Sequence, residues 1–125
     1  MIIENQPFDG GEQRVLRIHD AASGARGVIV VDSTLLGPAM GGCRLWRYAS
    51  DVEAEVDARR LARGMSYKNA MAGLPLGGGK SVLRLPDGPF DRRAFFAAYG
   101  QALNAFHGEY LTAEDVGATN AVGPT

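Results

Sequence analysis

Hydrophobic and polar positions alternate, run together and then space out along this chain, and each pattern predicts a different element. Arg14 to His19 alternates, with Leu16 and Ile18 on one face, which predicts a half-buried strand. Residues 27–32 (Gly-Val-Ile-Val-Val-Asp) form a continuous β-branched run, as expected of a central strand buried on both faces. Only a short turn with Ser23-Gly24 separates the two, so they are expected to form a hairpin. Ahead of them, residues 1–13 are polar, contain Gly10-Gly11 and read as a loose lead-in. Residues 35–48 hold a third strand interrupted at Gly41-Gly42. That pair marks either a bulge or bend, or a place where backbone approaches a ligand or another chain.

The period then changes. Ser50-Asp51-Val52-Glu53 fits a capping box, and Ala54, Ala58, Leu61, Met65, Lys68 and Ala72 recur at helical spacing. This stripe puts Lys68 on the inward face, where an amine must find a partner, lose its proton or snorkel to water. Gly73 and Pro75 end the helix. Gly77-Gly78-Gly79 then reads as a loop that delivers Lys80 to the start of a strand over residues 81–85. Asp91 is the expected cap of a second helix, with Phe96, Tyr99, Leu103 and Phe106 as its apolar stripe and Gly108 as its stop. Residues 110–113 read as a short final strand, and the tail from Val116 reads as irregular. The order β-β-β-α-β-α-β predicts an α/β fold in which helices pack on a mixed β-sheet.

At 125 residues the chain is expected to be one domain, 1–125, with a real core. Its net charge of −1 gives no basic footprint for nucleic acid. The single cysteine, Cys43, leaves no internal disulfide and fits a reducing compartment. The N-terminus lacks the basic and apolar regions of a signal peptide, and no stretch approaches the roughly 20 apolar residues of a membrane span. A cytoplasmic protein with no nucleic-acid or membrane partner is expected. His19, Cys43 and His107 are scattered, so no zinc site is expected.

The charge pattern narrows the chemistry. Lys68 and Lys80 are the only lysines, beside eleven arginines. Arginine keeps its proton in proteins, whereas lysine loses it when burial or neighbouring charges lower its pKa. The pattern is either an arginine-biased composition with two leftover lysines, or a need for a titratable amine in this region. Gly77-Gly78-Gly79-Lys80-Ser81 looks at first like a phosphate-binding P-loop. That motif needs a glycine at the position occupied by Leu74, and a strand before the loop and a helix after it. Spacing and order both fail. No Gly-x-Gly-x-x-Gly follows a strand either, so no dinucleotide fold is expected in these residues. What remains is a constellation of two amines and a carboxylate, Lys68, Lys80 and Asp115, at the ends of predicted elements. Such groups hold an anionic substrate and move protons.

Four stretches carry a resemblance: residues 37–42 (Gly-Pro-Ala-Met-Gly-Gly), 61–68 (Leu-Ala-Arg-Gly-Met-Ser-Tyr-Lys), 72–80 (Ala-Gly-Leu-Pro-Leu-Gly-Gly-Gly-Lys) and 110–117 (Tyr-Leu-Thr-Ala-Glu-Asp-Val-Gly). In this order the chain resembles the N-terminal, substrate-binding and dimerisation domain of the Glu/Leu/Phe/Val amino-acid dehydrogenases, closest to the leucine/phenylalanine branch. The resemblance implies the amino-acid dehydrogenase-like N-terminal fold and reversible NAD-dependent deamination of an L-amino acid to a 2-oxo acid and ammonia. It implies Lys80 as the catalytic amine that activates water, and Asp115 as the catalytic carboxylate that exchanges protons with the amino group. It implies that Lys68 binds the substrate carboxylate, with Met40, Gly41, Gly42, Met65 and Ala113 also substrate-binding. Glutamate-specific members carry a lysine where this chain has Met40, so an apolar substrate such as Leu, Val, Ile or Phe is expected. A homo-oligomer is expected. The nucleotide-binding domain of the family is missing from these residues, so NAD is expected to be held mainly outside them and the chain alone to be inactive. Two features depart from the family pattern: the order Pro86-Asp87, and the small, glycine-containing stretch after Gly117. A non-catalytic assembly or ligand-sensing module that keeps the fold is the rival reading.

Overall fold

A computed structural model describes residues 1–6, 13–106 and 110–112. The described residues form seven strands and two α-helices: β1 (Ile2–Gln6), β2 (Arg14–Asp20), β3 (Ala25–Val31), β4 (Ala39–Gly41), β5 (Cys43–Trp46), α1 (Asp51–Met71), β6 (Gly77–Arg84), α2 (Arg92–Leu103) and β7 (Tyr110–Thr112). A single 3-10 turn, Asn104–Phe106, follows α2. The sheet order is β1-β2-β3-β6-β4-β7, with β5 also on β6. β1, β2, β3 and β6 are successively antiparallel, while β4 and β5 run parallel to β6 and β7 runs parallel to β4.

The mixed sheet lies between two helical layers. On one face Ala54, Ala58 and Ala62 of α1 pack on Val15, Val28, Val30 and Val82. On the other, Phe95, Ala98, Tyr99 and Ala102 of α2 pack on Leu16, Ile29, Leu45 and Leu83. Consecutive strand residues point to opposite faces, which is why β3 needs a continuous apolar run. β2 is also buried on both sides: Val15 and Leu16 are both fully buried. It is therefore an interior strand rather than the half-buried one that its alternation predicts.

The helix punctuation matches the sequence. Ser50 Oγ accepts from Glu53 N at 3.2 Å, and Asp91 Oδ1 accepts from the amides of Arg93 and Ala94 at 3.0 and 3.2 Å. At the end of α1, Gly73 has φ +74°. Its amide donates to Ala70 O, and the Leu74 amide donates to Asn69 O. This paired closure needs the left-handed residue that glycine supplies without strain. The expected stop at Gly108 lies outside the described residues.

Four further expectations are corrected. Residues 2–6 are a strand, not a lead-in. β1 pairs with β2 from Ile2↔His19 to Gln6↔Val15, and an edge strand with one open side tolerates a polar sequence. Gly77-Gly78-Gly79 is not a loop. It is the first part of β6, so Lys80 sits inside that strand. A β-carbon at Gly77 would collide with Ser33 O, one at Gly78 with the backbone of α1, and one at Gly79 with the Tyr110 ring. The glycines are there because neighbours close in on the strand from several sides. The buried stripe of α1 is Ala54, Ala58, Ala62 and Asn69, with Leu61 and Met65 only half-buried and Lys68 and Ala72 exposed. A helix lying close on a glycine strand needs small residues at the contact. The buried stripe of α2 is Phe95, Ala98, Tyr99 and Ala102. Tyr99 and, in the turn that follows, Phe106 are buried as expected, whereas Phe96 and Leu103 are only half-buried because the face set against the sheet runs through Phe95 and Ala102. The third strand is present, broken into β4 and β5 at Gly42, as the bend reading of Gly41-Gly42 anticipates.

Candidate active site

β4 and β5 lie end to end along one edge of β6. Met40 pairs with Gly78, and Cys43 with Ser81. Between them Gly42 O accepts from Ser81 N at 3.0 Å. Alternation along β6 sends Gly78, Lys80 and Val82 to the face covered by α1. In the paired register Met40 belongs to the same face. The second half of α1 is fastened over this region by two side chains. Ser66 Oγ accepts from Gly78 N at 3.0 Å, and the Asn69 amide donates to Gly77 O at 2.8 Å and to Met40 O at 3.4 Å.

Lys80 is half-buried in this angle between sheet and helix. A β-carbon on Gly42 would stand 3.5 Å from its Nζ, so the missing side chain leaves that flank of the amine against backbone. Burial holds the Lys80 amine below the usual lysine range. The Arg44 and Lys68 cations push it the same way, while Cys43 and Asp57 push it back. Lys68 stands in the last turn of α1, exposed, close enough for its charge to act on Lys80. Asp57 ties the neighbouring cation down. Its carboxylate accepts from the Tyr48 hydroxyl, bonds Arg60 at 2.6 Å and lies 3.8 Å from Arg44 Nη1. Burial works to raise the Asp57 carboxyl, yet the hydrogen bonds from Tyr48 and Arg60 and the Arg44 charge hold it below its usual range. Arg44 also stacks on Trp46, 5.1 Å from the ring centroid.

Of the residues expected from the sequence, Met40, Gly41, Gly42, Met65, Lys68 and Lys80 are thus grouped where β4, β6 and the second half of α1 meet. Ala113 and Asp115 lie outside the described residues. Sequence reasoning missed Ser66 and Asn69, which dock α1 on the strand. Their signal was a pair of polar residues three apart on the helix face opposite a glycine run. It also missed Arg44 and Asp57, which set the charge around Lys80.

A separate groove of about 240 Å³ opens at the other end of α1, lined by Ile2, Arg17, Arg26, Asp51 and Glu55 among others. From Glu55 to Lys68 is about 20 Å along the helix. Its charges already pair: Arg17 with Glu55 at 2.6 Å, and Arg26 and Arg84 with Asp51, each at 2.6 Å. It offers no half-buried amine of the Lys80 kind.

Comparison with known proteins identifies the family. Residues 12–122 match the model of the family described as Glu/Leu/Phe/Val dehydrogenase, dimerisation domain. The chain is 50% identical over 109 residues to leucine dehydrogenase of Geobacillus stearothermophilus, covering 87% of this chain and 30% of that protein. It is 50% identical over 108 residues to valine dehydrogenase of Streptomyces coelicolor, with 86% and 30% covered. The crystal structure of L-tryptophan dehydrogenase from Nostoc punctiforme superposes with a TM-score of 0.75 at 36% identity, covering 82% of this chain and 31% of that one. The chain therefore spans about 30% of the length of the curated relatives it matches. Grouped motifs, sheet order and sequence identity converge: this chain belongs to the Glu/Leu/Phe/Val dehydrogenase family and corresponds to its dimerisation domain.

Proposed function

We propose that this chain is the substrate-binding and subunit-assembly part of an amino-acid dehydrogenase that reversibly deaminates an apolar L-amino acid to its 2-oxo acid and ammonia. The observation that carries the reading is the Lys80 amine. It is half-buried, held below the usual lysine range, flanked by the Gly42 backbone and under the charge of Lys68. It sits in a chain 50% identical to a leucine and a valine dehydrogenase.

Each group then has a task. Lys68, exposed at the helix end, pairs with the substrate α-carboxylate. Lys80, with a larger neutral fraction than an ordinary lysine, takes a proton from the attacking water. Asp115 exchanges protons with the amino group. In sequence it follows closely on Thr112, whose backbone pairs with Gly41. Met40, Met65 and Ala113 line the side-chain pocket, and Gly42 lets the substrate approach the backbone, with Gly41 beside it although its own flank is closed by Gly79 O. NAD is the proposed hydride acceptor. The glycine run of β6 does not cradle it, because Gly77, Gly78 and Gly79 are closed off by Ser33, α1 and Tyr110. The cofactor is therefore assigned to another part of the enzyme.

Assembly into a homo-oligomer is part of the same reading. It is supported by the family description and by the outer edge of β1, where Ile2 and Ile3 are 65% and 41% exposed. A cytoplasmic enzyme is proposed. Cys43 is the single cysteine, so no disulfide forms within the chain, and among the described residues no helix is long and apolar enough to cross a membrane.

Met40 tests the substrate class. A thioether cannot pair with a side-chain carboxylate, and burying that carboxylate unpaired is costly. In the complete enzyme, Met40→Lys should lower the ratio of kcat/KM for leucine over glutamate by at least about tenfold. Steady-state kinetics on both substrates reads it, and an unchanged ratio removes Met40 from the pocket.

A further inference from the structure

Beneath the Gly41-Gly42 break, on the face of the sheet opposite Lys80, lies a buried chain of three hydroxyls. Tyr99 OH donates to Ser81 Oγ at 2.7 Å. Ser81 Oγ stands 3.1 Å from Tyr110 OH. Tyr110 OH in turn reaches Gly42 O at 3.3 Å and Gly41 O at 3.5 Å. The three residues are 1%, 0% and 4% exposed. With Tyr110 donating to the glycine carbonyl, Ser81 donates to Tyr110 and Tyr99 to Ser81, and the Cys43 thiol also lies within hydrogen-bonding reach of Tyr99. The Tyr110 ring is wedged against Gly79 and lies 5.7 Å from the Phe106 ring.

A purely apolar contact would fill this space as well, and buried polar groups are costly unless every one is partnered. What the hydroxyls add is direction. They end on the two carbonyls of the strand break, and Gly42 O also takes the Ser81 amide. Ser81 is the neighbour of Lys80 in β6, and Gly42 is the residue whose open flank faces the Lys80 amine. The hydroxyl chain thus grips from below the same backbone that borders the amine from above. We propose that Tyr99, Ser81 and Tyr110 are positioning residues that fix the Gly41-Gly42 backbone against the Lys80 amine. Their importance for catalysis rests on the reading of Lys80 as the reacting amine.

The test uses the fact that only two lysines are present. Reductive methylation of the chain with 13C-formaldehyde and a borane reductant gives each lysine, and the N-terminal amine, an NMR signal whose position follows its own titration. Tyr110→Phe keeps the ring and removes the hydroxyl. It should loosen the backbone flank, hydrate the amine and raise the Lys80 midpoint by about half a pH unit or more, because burial is what lowers it. Tyr99→Phe, one link further away, should move it the same way by less. Lys68, outside the network, is the internal control and should stay in place. Folded variants that melt earlier but leave Lys80 unmoved, or that move both lysines equally, overturn the proposal. Amide exchange in the unaltered chain gives a second reading that needs no variant. The Ser81 amide should be among the slowest to exchange, and fast exchange overturns the proposal. The titration reads geometry whether or not Lys80 is catalytic, so its failure leaves the proposed activity standing, and loss of that activity leaves the titration valid.

Discussion

Lys80→Ala, made in the complete enzyme, should lower kcat for amino-acid deamination by roughly 10²–10⁴-fold, the range that a positioned general base contributes. KM should change far less, because the substrate carboxylate is assigned to Lys68. The sign of the pH effect is fixed by the same assignment. A base acts in its neutral form, so the unaltered enzyme should gain activity as pH rises through the lowered Lys80 pKa and level off above it. In Lys80→Ala that limb should vanish along with the rate. A small primary amine added to the buffer should restore part of the turnover, since the cavity left at Lys80 borders the open flank of Gly42. Near-normal turnover in Lys80→Ala would remove the residue from its role.

Gly78→Ala should be among the most damaging single changes to the fold. A β-carbon there would overlap Ser66 N, Ala62 O and Ser66 Oγ. Two of those atoms are helix backbone, which cannot swing aside as a side chain can. Moving α1 away would break the Gly78–Ser66 and Gly77–Asn69 bonds and lift Ala62 off the sheet. Overpacking usually costs about 1–3 kcal/mol. With backbone on both sides a loss of about 3 kcal/mol or more is expected, a large part of a small domain's stability. Urea unfolding of the chain reads it. Gly100→Ala is the control. Gly100 is an exposed residue in α2 with nothing near its missing side chain. That change should stabilise by up to about 1 kcal/mol through helix propensity. Equal effects of the two changes would mean that Gly78 is not in close contact.

The elements whose local pattern decides their structure were legible in the chain. β3 could be read because a strand covered on both faces has no polar side to alternate with. The caps at Ser50 and Asp91 and the Gly73 closure could be read because they are satisfied by residues within a few positions. What escaped depends on partners distant in sequence. β1 has little apolar character of its own and exists because β2 offers it a ladder. The start of β6 looked like a loop because glycine normally weakens a strand. It is a strand because Ser33, α1 and Tyr110 crowd it. The stripe of α1 is read correctly at Ala54 and Ala58 but then follows Leu61, Met65 and Lys68, the long side chains, whereas close packing on the sheet selects Ala62 and Asn69. The shift moved Lys68 from the buried face to the exposed rim, so it no longer needs a buried partner. The lysines themselves stood out by composition alone, but their assigned roles came from the resemblance. The hydroxyls of Tyr99, Ser81 and Tyr110 could not be linked from the sequence, since they come from three separate elements.

One face, where β4, β6 and the end of α1 meet, is assigned to receive the amino acid. A crystal structure of the complete enzyme with L-leucine bound tests it most directly. The α-carboxylate is expected about 3 Å from Lys68 Nζ, with Cα turned toward Lys80 and Asp115 and the isobutyl group against Met40. Leucine found in the ion-paired groove of Arg17, Arg26 and Glu55, with Lys68 and Lys80 untouched, would contradict it.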